Sequence, residues 1–235
     1  MHTNLRTLVI SIFLLSGLAI AQGDKVLFGI NGGPSIPIGD YANAEANSED
    51  AGYAETGRSF NLLLQLKIGS GFGIAGEGHI QTNPIDVGAL AHQLSVEFPG
   101  PSWDVESLPY ITGGFFCGIF KAVPLGESEI FEIVFKGLVG VLNTTSPDAT
   151  ITADNGGSTT QGHMKKAENQ SFAWTAGGGM KYNFSEHFCL IGNLDYLYTN
   201  PTLKVETEIG GTSEFNSSNQ VIESINFGFG IGFRI

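Results

Sequence analysis

The chain has 235 residues, of which only 14% are charged, and its formal net charge is −12. This length suits a single domain, and the acidic balance excludes nucleic-acid binders, which need a basic surface. Charged residues are scarce beside the roughly 25% of soluble domains, whereas 33 Gly and 17 Phe are many, so we expect the main surface to contact something other than water.

Residues 1–21 have the features of a cleaved secretory signal peptide. Arg6 gives a basic start, residues 8–18 are almost wholly apolar, and Ala19 to Ala21 form a small-x-small cleavage site. The apolar run is shorter than the about 20 residues that a helical membrane span needs. Cleavage would remove Arg6 and no acid, leaving residues 22–235 with 10 basic and 23 acidic residues and a net charge of −13.

The rest of the chain alternates apolar and polar residues with a period of two, which is typical of β-strands. Between Ser171 and Phe184 one face is apolar with aromatic residues at both ends, and residues 225–235 repeat the pattern. Most predicted strands reach the about 9–11 residues with which a tilted strand crosses a bilayer. The predicted strands cover about 25–36, 58–68, 72–82, 108–121, 129–142, 171–184, 187–199 and 221–235.

The fourth predicted strand is ambiguous, because residues 108–121 carry apolar side chains on both faces. If Lys121 faces inward, Phe116 and Phe120 face outward, but Phe115 then faces inward. A β-bulge would resolve this conflict. We therefore expect a bulge in this strand, with Lys121 inside.

The connections between the predicted strands alternate in length. Short turns on one side and long loops on the other are typical of outer-membrane barrels. The pattern predicts an all-β fold, an eight-stranded antiparallel up-and-down transmembrane β-barrel over residues 22–235, with both termini in the periplasm. A soluble barrel with its faces exchanged is the alternative, but aromatic residues at the ends of the apolar faces favour the membrane. The long outer loops cover about 37–57, 83–107, 143–170 and 200–220.

Glycine-rich segments at residues 28–34 and 176–182, and the closing strand at 225–235, resemble those of a known family. They are similar to the small outer-membrane β-barrel proteins, the OmpA/OmpX-like class of Bacteroidetes-type genomes, of which many carry the porin label. The resemblance implies a Gram-negative outer membrane, contact with its lipid and lipopolysaccharide, and insertion by the barrel-assembly machinery. Ile235 stands where many members have a terminal aromatic residue. We expect the peptidoglycan-binding domain of longer members to be absent.

Eight strands enclose a lumen that side chains just fill. Buried charges are costly unless they are paired, so we expect the inward ionisable residues to form a network. Four bases near the periplasmic strand ends, Lys67, Lys121, Lys181 and Arg234, could instead form a ring that favours anions. Pairing is the favoured interpretation. The candidate lumen network comprises Lys67, Glu77, His79, Lys121, Glu132, Lys136, Lys181, Asp195 and Arg234.

Catalytic and metal-binding motifs are missing from the sequence. Glu77 and His79 could be half of a catalytic dyad, but His79 is expected to face the lumen rather than the lipid. Cys117 and Cys189 lie on the fourth and seventh predicted strands, about 14 Å apart around the wall, which is too far for a disulfide. We therefore expect two free thiols, no enzymatic activity, no cofactor and no metal site.

The long loops carry most of the acidic residues, such as Asp40 and Glu45 in the first and Asp86 and Asp104 in the second. These acids could bridge divalent cations to lipopolysaccharide or bind a basic partner, although solvation alone is favoured. The leading hypothesis is a monomeric structural or surface-interaction barrel that acts through its acidic outer loops. A narrow porin-like channel for small solutes is the alternative, and a lipid-modifying outer-membrane enzyme comes third.

Overall fold

The structure, a computed structural model, describes residues 26–45, 51–126, 130–209 and 212–235, so the predicted signal peptide lies outside the described residues. The described residues contain thirteen strands, a 3-10 turn at Gly39–Tyr41 and one helix, α1, at Val87–Glu97. None of their helices is long and apolar enough to cross a membrane. The strands are β1 (Val26–Ile38), β2 (Gly57–Gly69), β3 (Phe72–Asn83), β4 (Ser102–Ser107), β5 (Tyr110–Leu125), β6 (Phe131–Thr145), β7 (Ala149–Asp154), β8 (Thr159–Lys165), β9 (Glu168–Asn183), β10 (Phe188–Thr199), β11 (Thr202–Ile209), β12 (Thr212–Asn219) and β13 (Ile222–Arg234).

Eight of these strands close into an antiparallel barrel in the order β1-β2-β3-β5-β6-β9-β10-β13, with β13 paired to β1. Barrel neighbours follow one another along the chain, which makes the barrel up-and-down. The seam is tight: Ile235 N donates to Val26 O at 2.9 Å, beyond the last registered pair of β1 and β13. The predicted eight-stranded barrel is confirmed, and each barrel strand lies within a few residues of its predicted position.

The period-two alternation places apolar side chains outside the barrel and polar ones inside. Phe115 and Phe229 are 72% and 74% exposed, whereas Asn61 and Glu77 are buried. Because water would penalise so large an apolar surface, this wall fits a hydrocarbon surrounding. The outward apolar residues extend along all eight barrel strands.

Two aromatic belts border the apolar wall. At the short-turn end the rings of Phe131 and Tyr182 stack at 4.9 Å, and Phe188 lies 5.3 Å from Phe233. At the other end Trp174 lies 5.1 Å from Tyr196. Tyr182 lies eight residue steps from Trp174 along β9, which corresponds to a rise of about 20 Å at a strand tilt of about 40°. The belts therefore have the spacing that the two interfaces of a bilayer require.

The structure of β5 corrects two expectations. β5 pairs with β3 and β6 without a register shift, so the predicted bulge is wrong. Phe120 faces inward and is buried because Gly73, opposite it on β3, leaves the space that its ring occupies. Lys121 therefore faces outward, with Nζ 3.9 Å from the ring centroid of Phe72, and it donates to Ser70 O. The irregularity in this part of the wall lies in β2, between Lys67 and Gly69.

Three of the four predicted outer loops contain strands of a second sheet. These strands pair in the order β4-β7-β8-β11-β12 and continue the barrel strands beyond the long-loop end. Helix α1 begins at the N-cap Asp86, whose side chain accepts from Ala89 N. After α1 the chain enters β4, which is an edge strand of the second sheet. There Trp103 Nε1 donates to Phe98 O at 3.3 Å. The outer part of the protein is therefore a hydrogen-bonded, five-stranded sheet and not a set of separate loops.

Candidate functional site

The inward face of the barrel carries the charges that could define a channel or a plug. At mid-height Lys136 of β6 lies between two acids, Glu77 of β3 and Asp195 of β10. Lys136 Nζ is 2.5 Å from Glu77 Oε2 and 3.0 Å from Asp195 Oδ2. The three side chains are only 7%, 3% and 4% exposed. We call Glu77, Lys136 and Asp195 the central triad; its formal charge is −1.

A glycine makes the central triad possible. In register, Gly177 of β9 lies opposite both Lys136 and Asp195. A Cβ on Gly177 would overlap Asp195 Oδ1 and would lie 2.5 Å from Leu194 O. The missing side chain therefore leaves room for the lysine of β6 to reach the aspartate of β10 across the intervening strand.

A second set of charges lies nearer the short-turn end. Lys181 Nζ is 2.8 Å from Glu132 Oε2, and these residues are directly opposite each other on β9 and β6. Lys67 Nζ lies 3.6 Å from Glu132 Oε1 and is half-buried. We call Lys67, Glu132 and Lys181 the lower triad; its formal charge is +1, opposite to that of the central triad.

The remaining candidates have different surroundings. Arg234 donates to Ser185 O at 2.6 Å on the short-turn rim, and Lys121 lies outside the barrel, so the four bases do not form a ring in the lumen. His79 is buried, with Nδ1 2.6 Å from Asn61 Oδ1 and Nε2 3.2 Å from Gln81 Oε1. Its hydrogen-bond partners are amides, and Glu77 bonds to Lys136 instead.

Amide and hydroxyl side chains extend this hydrogen bonding towards the long-loop end. Asn61 donates to Asn31 Oδ1 at 2.9 Å, and Ser224 donates to Gln81 Oε1 at 3.1 Å. The network joins side chains from β1, β2, β3 and β13, and thus crosses the barrel seam. The alternation pattern places these residues inside, but their partners depend on strand order and stagger.

The long-loop end of the lumen is closed by a cluster that the sequence pattern did not indicate. Tyr41, Ala54, Tyr110 and Ile222 form a buried apolar cluster, with the two tyrosine rings 5.3 Å apart. Burial raises the pKa of Tyr41 well above its ordinary value, so its phenol stays neutral. We call this cluster the tyrosine cap. Backbone hydrogen bonds fix its position, since Ala54 N donates to Tyr41 O and Asp86 N donates to Tyr53 O.

One small cavity lies among the described lumen side chains. A cavity of about 30 Å³ borders Asn31, Gln65, Lys136 and Lys181. A water molecule needs roughly 10–15 Å³ of such space, so this cavity has room for two or three waters and for no larger solute. Charge pairs, amides and the tyrosine cap lie at successive levels of the barrel interior.

The outer sheet has one strongly polar face. Register places Glu206 opposite Lys165 and Glu208 opposite His163. Lys165 Nζ lies 2.9 Å from Glu206 Oε1 and 3.4 Å from Glu208 Oε2. Across β7 the same face continues to Glu106, so acidic residues predominate on it. Within the described residues, no group of three His, Cys, Asp or Glu side chains could hold a metal ion.

An ionic hydrogen bond stabilises the junction between the barrel and the outer sheet. His163 Nε2 lies 2.8 Å from Asp148 Oδ1, and Ser146 Oγ accepts from Ala167 N at 2.8 Å nearby. The hydrogen bond to His163 holds the pKa of Asp148 below its ordinary value of 3.8. These contacts join the connection between β6 and β7 to β8 and to the connection between β8 and β9.

The two cysteines are free thiols, as predicted. Cys117 is exposed on the outward face of β5, and Cys189 is buried against Leu27, Leu63 and Ile191 inside the barrel. They lie on the fourth and seventh barrel strands, three strand spacings apart.

No protein-family model and no curated protein sequence matches the chain. Among solved structures, it is similar to a major outer membrane protein of Thermus thermophilus, with a TM-score of 0.50 and 11% identity over 91% of this chain and 100% of that one. Ail, the attachment invasion locus protein of Yersinia pestis, aligns at 14% identity and a TM-score of 0.47 over 91% and 100%. Neisserial surface protein A aligns at 11% identity and a TM-score of 0.44 over 89% and 97%. The first of these, together with the closed barrel itself, shows that the chain has the fold of a small outer-membrane β-barrel.

Proposed function

We propose that the chain is an integral outer-membrane protein whose barrel is closed to solutes and whose outer sheet is displayed at the cell surface. The observation that carries this proposal is the combination of an apolar outer wall with a lumen filled by paired side chains. The barrel acts as a rigid support, and recognition, where it occurs, belongs to the outer sheet and the loop before β2.

The membrane location is supported by the wall. Aromatic belts at both ends of an apolar band are the signature of proteins that cross the outer membrane with strands. The solved protein of Thermus thermophilus with a similar fold is described as a major outer membrane protein. Insertion by the barrel-assembly machinery and contact with lipid and lipopolysaccharide would follow from that location.

The closed lumen favours a surface role over a channel. A conducting path needs continuous water, whereas the central triad, the amide network and the tyrosine cap occupy successive levels of the interior. If one of these three groups of side chains were removed, the other two would still obstruct the lumen. A lipid-modifying activity has less support, because His79 faces the lumen and hydrogen-bonds to amides.

The acidic face of the outer sheet is the candidate surface for a partner. Glu106, Glu206 and Glu208 lie on it, and among the described cations only Lys165 forms ion pairs with the last two. Such a surface attracts basic partners or bridging cations, and added salt weakens this attraction.

Accessibility of single cysteines in intact cells tests the proposed topology. Cys117 is first changed to Ser, and Glu214→Cys on β12 or Ser185→Cys in the short turn is then added. A membrane-impermeant maleimide should label E214C in intact cells and S185C only after lysis. Equal labelling of both variants, or labelling of S185C alone, would contradict the proposed location and orientation.

A further inference from the structure

The tripeptide Asn-Gly-Gly occurs twice in the chain, at residues 31–33 and 155–157. Asparagine is one of the thermolabile residues of proteins, because its side chain can react with the backbone nitrogen of the next residue. A following glycine favours this reaction, since it places no Cβ beside the attacking nitrogen. The two copies share one local sequence, so a difference in their reactivity comes from the structure around them.

The first copy is held inside the barrel wall. Asn31 lies in β1 and is 3% exposed, and its Oδ1 accepts from Asn61 Nδ2 at 2.9 Å. Gly32 is paired with Phe60 of β2 and with Phe229 of β13, which fixes the backbone on both sides. In an extended strand the side chain points out of the sheet, away from the next backbone nitrogen. Reaction of Asn31 with Gly32 N therefore requires this part of β1 to leave the barrel.

The second copy forms the tip of the hairpin between β7 and β8. Asp154 ends β7 and is paired with Thr159 of β8, and residues 155–158 connect them. All four connecting residues are exposed, and Gly156 has a left-handed backbone with φ +76°. Exposed loop tips change conformation at little cost in free energy. The second copy can therefore reach the reactive geometry without unfolding the sheet.

An acidic side chain contacts the nitrogen that would react at this tip. Asp154 Oδ1 accepts from Gly156 N at 2.8 Å. Gly156 N must lose its proton when it attacks the side chain of Asn155, and a carboxylate at hydrogen-bond distance is a suitable acceptor. In the first copy the corresponding position is occupied by Ile30, whose side chain cannot accept a proton.

We propose that Asn155 is a site of deamidation and that Asp154 accepts the proton of Gly156 N during the reaction. Gly156 N forms a bond to Asn155 Cγ, and the bond from Cγ to the carboxamide nitrogen breaks. That nitrogen leaves as ammonia, with the proton that Asp154 passes on to it. Water then opens the five-membered imide at either of its two carbonyls, which gives aspartate or isoaspartate at position 155.

Either product adds one negative charge to the outer sheet. Asp154 lies opposite Ser102, on the face that carries Asp104 and Glu106, so the new charge extends the acidic face at its tip. Isoaspartate also adds one carbon atom to the backbone, which a hairpin connection tolerates far better than a strand paired on both sides. This inference depends on the fold alone and not on the proposed membrane location.

Peptide mapping of aged protein tests the proposal. The folded full-length chain is kept in detergent micelles at mildly alkaline pH, and mass spectrometry with fragmentation follows the replacement of NH2 by OH in both copies. Asn155 should react on the order of a hundredfold or more faster than Asn31, because a hairpin tip opens freely whereas a central strand opens only with global unfolding. In concentrated urea without detergent, where both copies are unfolded, the two rates should be similar.

Two variants test the chemistry at the tip. Asp154→Asn keeps an oxygen that accepts a hydrogen bond but does not take up a proton, so it should slow the reaction of Asn155 in the folded protein. Asn155→Gln is the matched control for the site: its longer side chain would have to close a larger ring, so position 155 should keep its carboxamide over the same period.

Equal rates at the two copies in the folded protein, or a slower rate at Asn155, would overturn the site assignment. A D154N variant that reacts as fast as wild type would overturn the role of Asp154. A difference between the copies that persists unchanged in urea would also contradict the proposal, because the fold would then not be its cause.

Discussion

Lys136 is the residue whose loss should destabilise the barrel most. Among the described residues, Lys136→Met removes the one cation within 4 Å of both Glu77 and Asp195, whose side chains are 3% and 4% exposed. Removing one partner of a buried ion pair typically costs about 3–5 kcal/mol, because the remaining charge has neither water nor a counter-ion. We expect a loss in this range in the free energy of unfolding. Urea titration of vesicle-inserted protein measures it, with the fluorescence of Trp103 and Trp174 as the signal.

The control is the triple variant Glu77→Gln, Lys136→Met, Asp195→Asn, which replaces the whole triad with neutral groups of similar size. Since neutral replacement of a buried triad is often without cost, its free energy of unfolding should lie within about 1 kcal/mol of wild type. A K136M variant that loses less than about 1 kcal/mol would refute the view that the triad is desolvated. So would a triple variant as unstable as K136M.

Three further changes probe other parts of the account. Gly177→Ala places a methyl group against Asp195 and should cost about 1–3 kcal/mol by overpacking, whereas Gly137→Ala, with open space, should leave the urea midpoint unchanged. Tyr41→Ala should cost about 3–5 kcal/mol as a large-to-small change in a buried cluster. Tyr41→Phe should be near neutral, since Tyr41 Oη has no hydrogen-bond partner among the described residues; a large loss in Y41F would contradict this. Asp148→Asn should increase hydrogen exchange at the start of β7 at neutral pH. Because the pKa of Asp148 is depressed, its stabilising contribution is present above about pH 4 and is lost as the pH falls through the lowered pKa, so wild type and D148N should converge in acid. A difference that persists at pH 2 would contradict this.

The barrel could be predicted because its signal is repeated in seven of the eight barrel strands. Alternation in β9 alone gives one apolar and one polar face, and the neighbouring strands follow the same rule. β5 is the exception, since both of its faces are apolar. Which face of β5 points inward depends on Gly73 in the adjacent strand, because Gly73 leaves room for the ring of Phe120. Single-strand alternation does not contain that information.

The candidate lumen residues could be identified as inward-facing, but their partners could not. Lys136 reaches Asp195 across Gly177, and this contact depends on the stagger between three strands. The outer sheet was missed because the segments around Thr150 and Thr212 mix polar and small residues without a clear period. The cap was missed because Tyr41 lies in a connection, where burial arises from tertiary contacts alone.

Planar-bilayer recording of purified wild-type protein tests the central claim, a membrane-spanning barrel with a closed lumen, most directly. The paired triads, the amide network and the tyrosine cap predict insertion without stepwise conductance at moderate voltage. Reproducible unitary steps from wild type, altered by Lys181→Ala, would contradict the closed lumen and favour a channel instead.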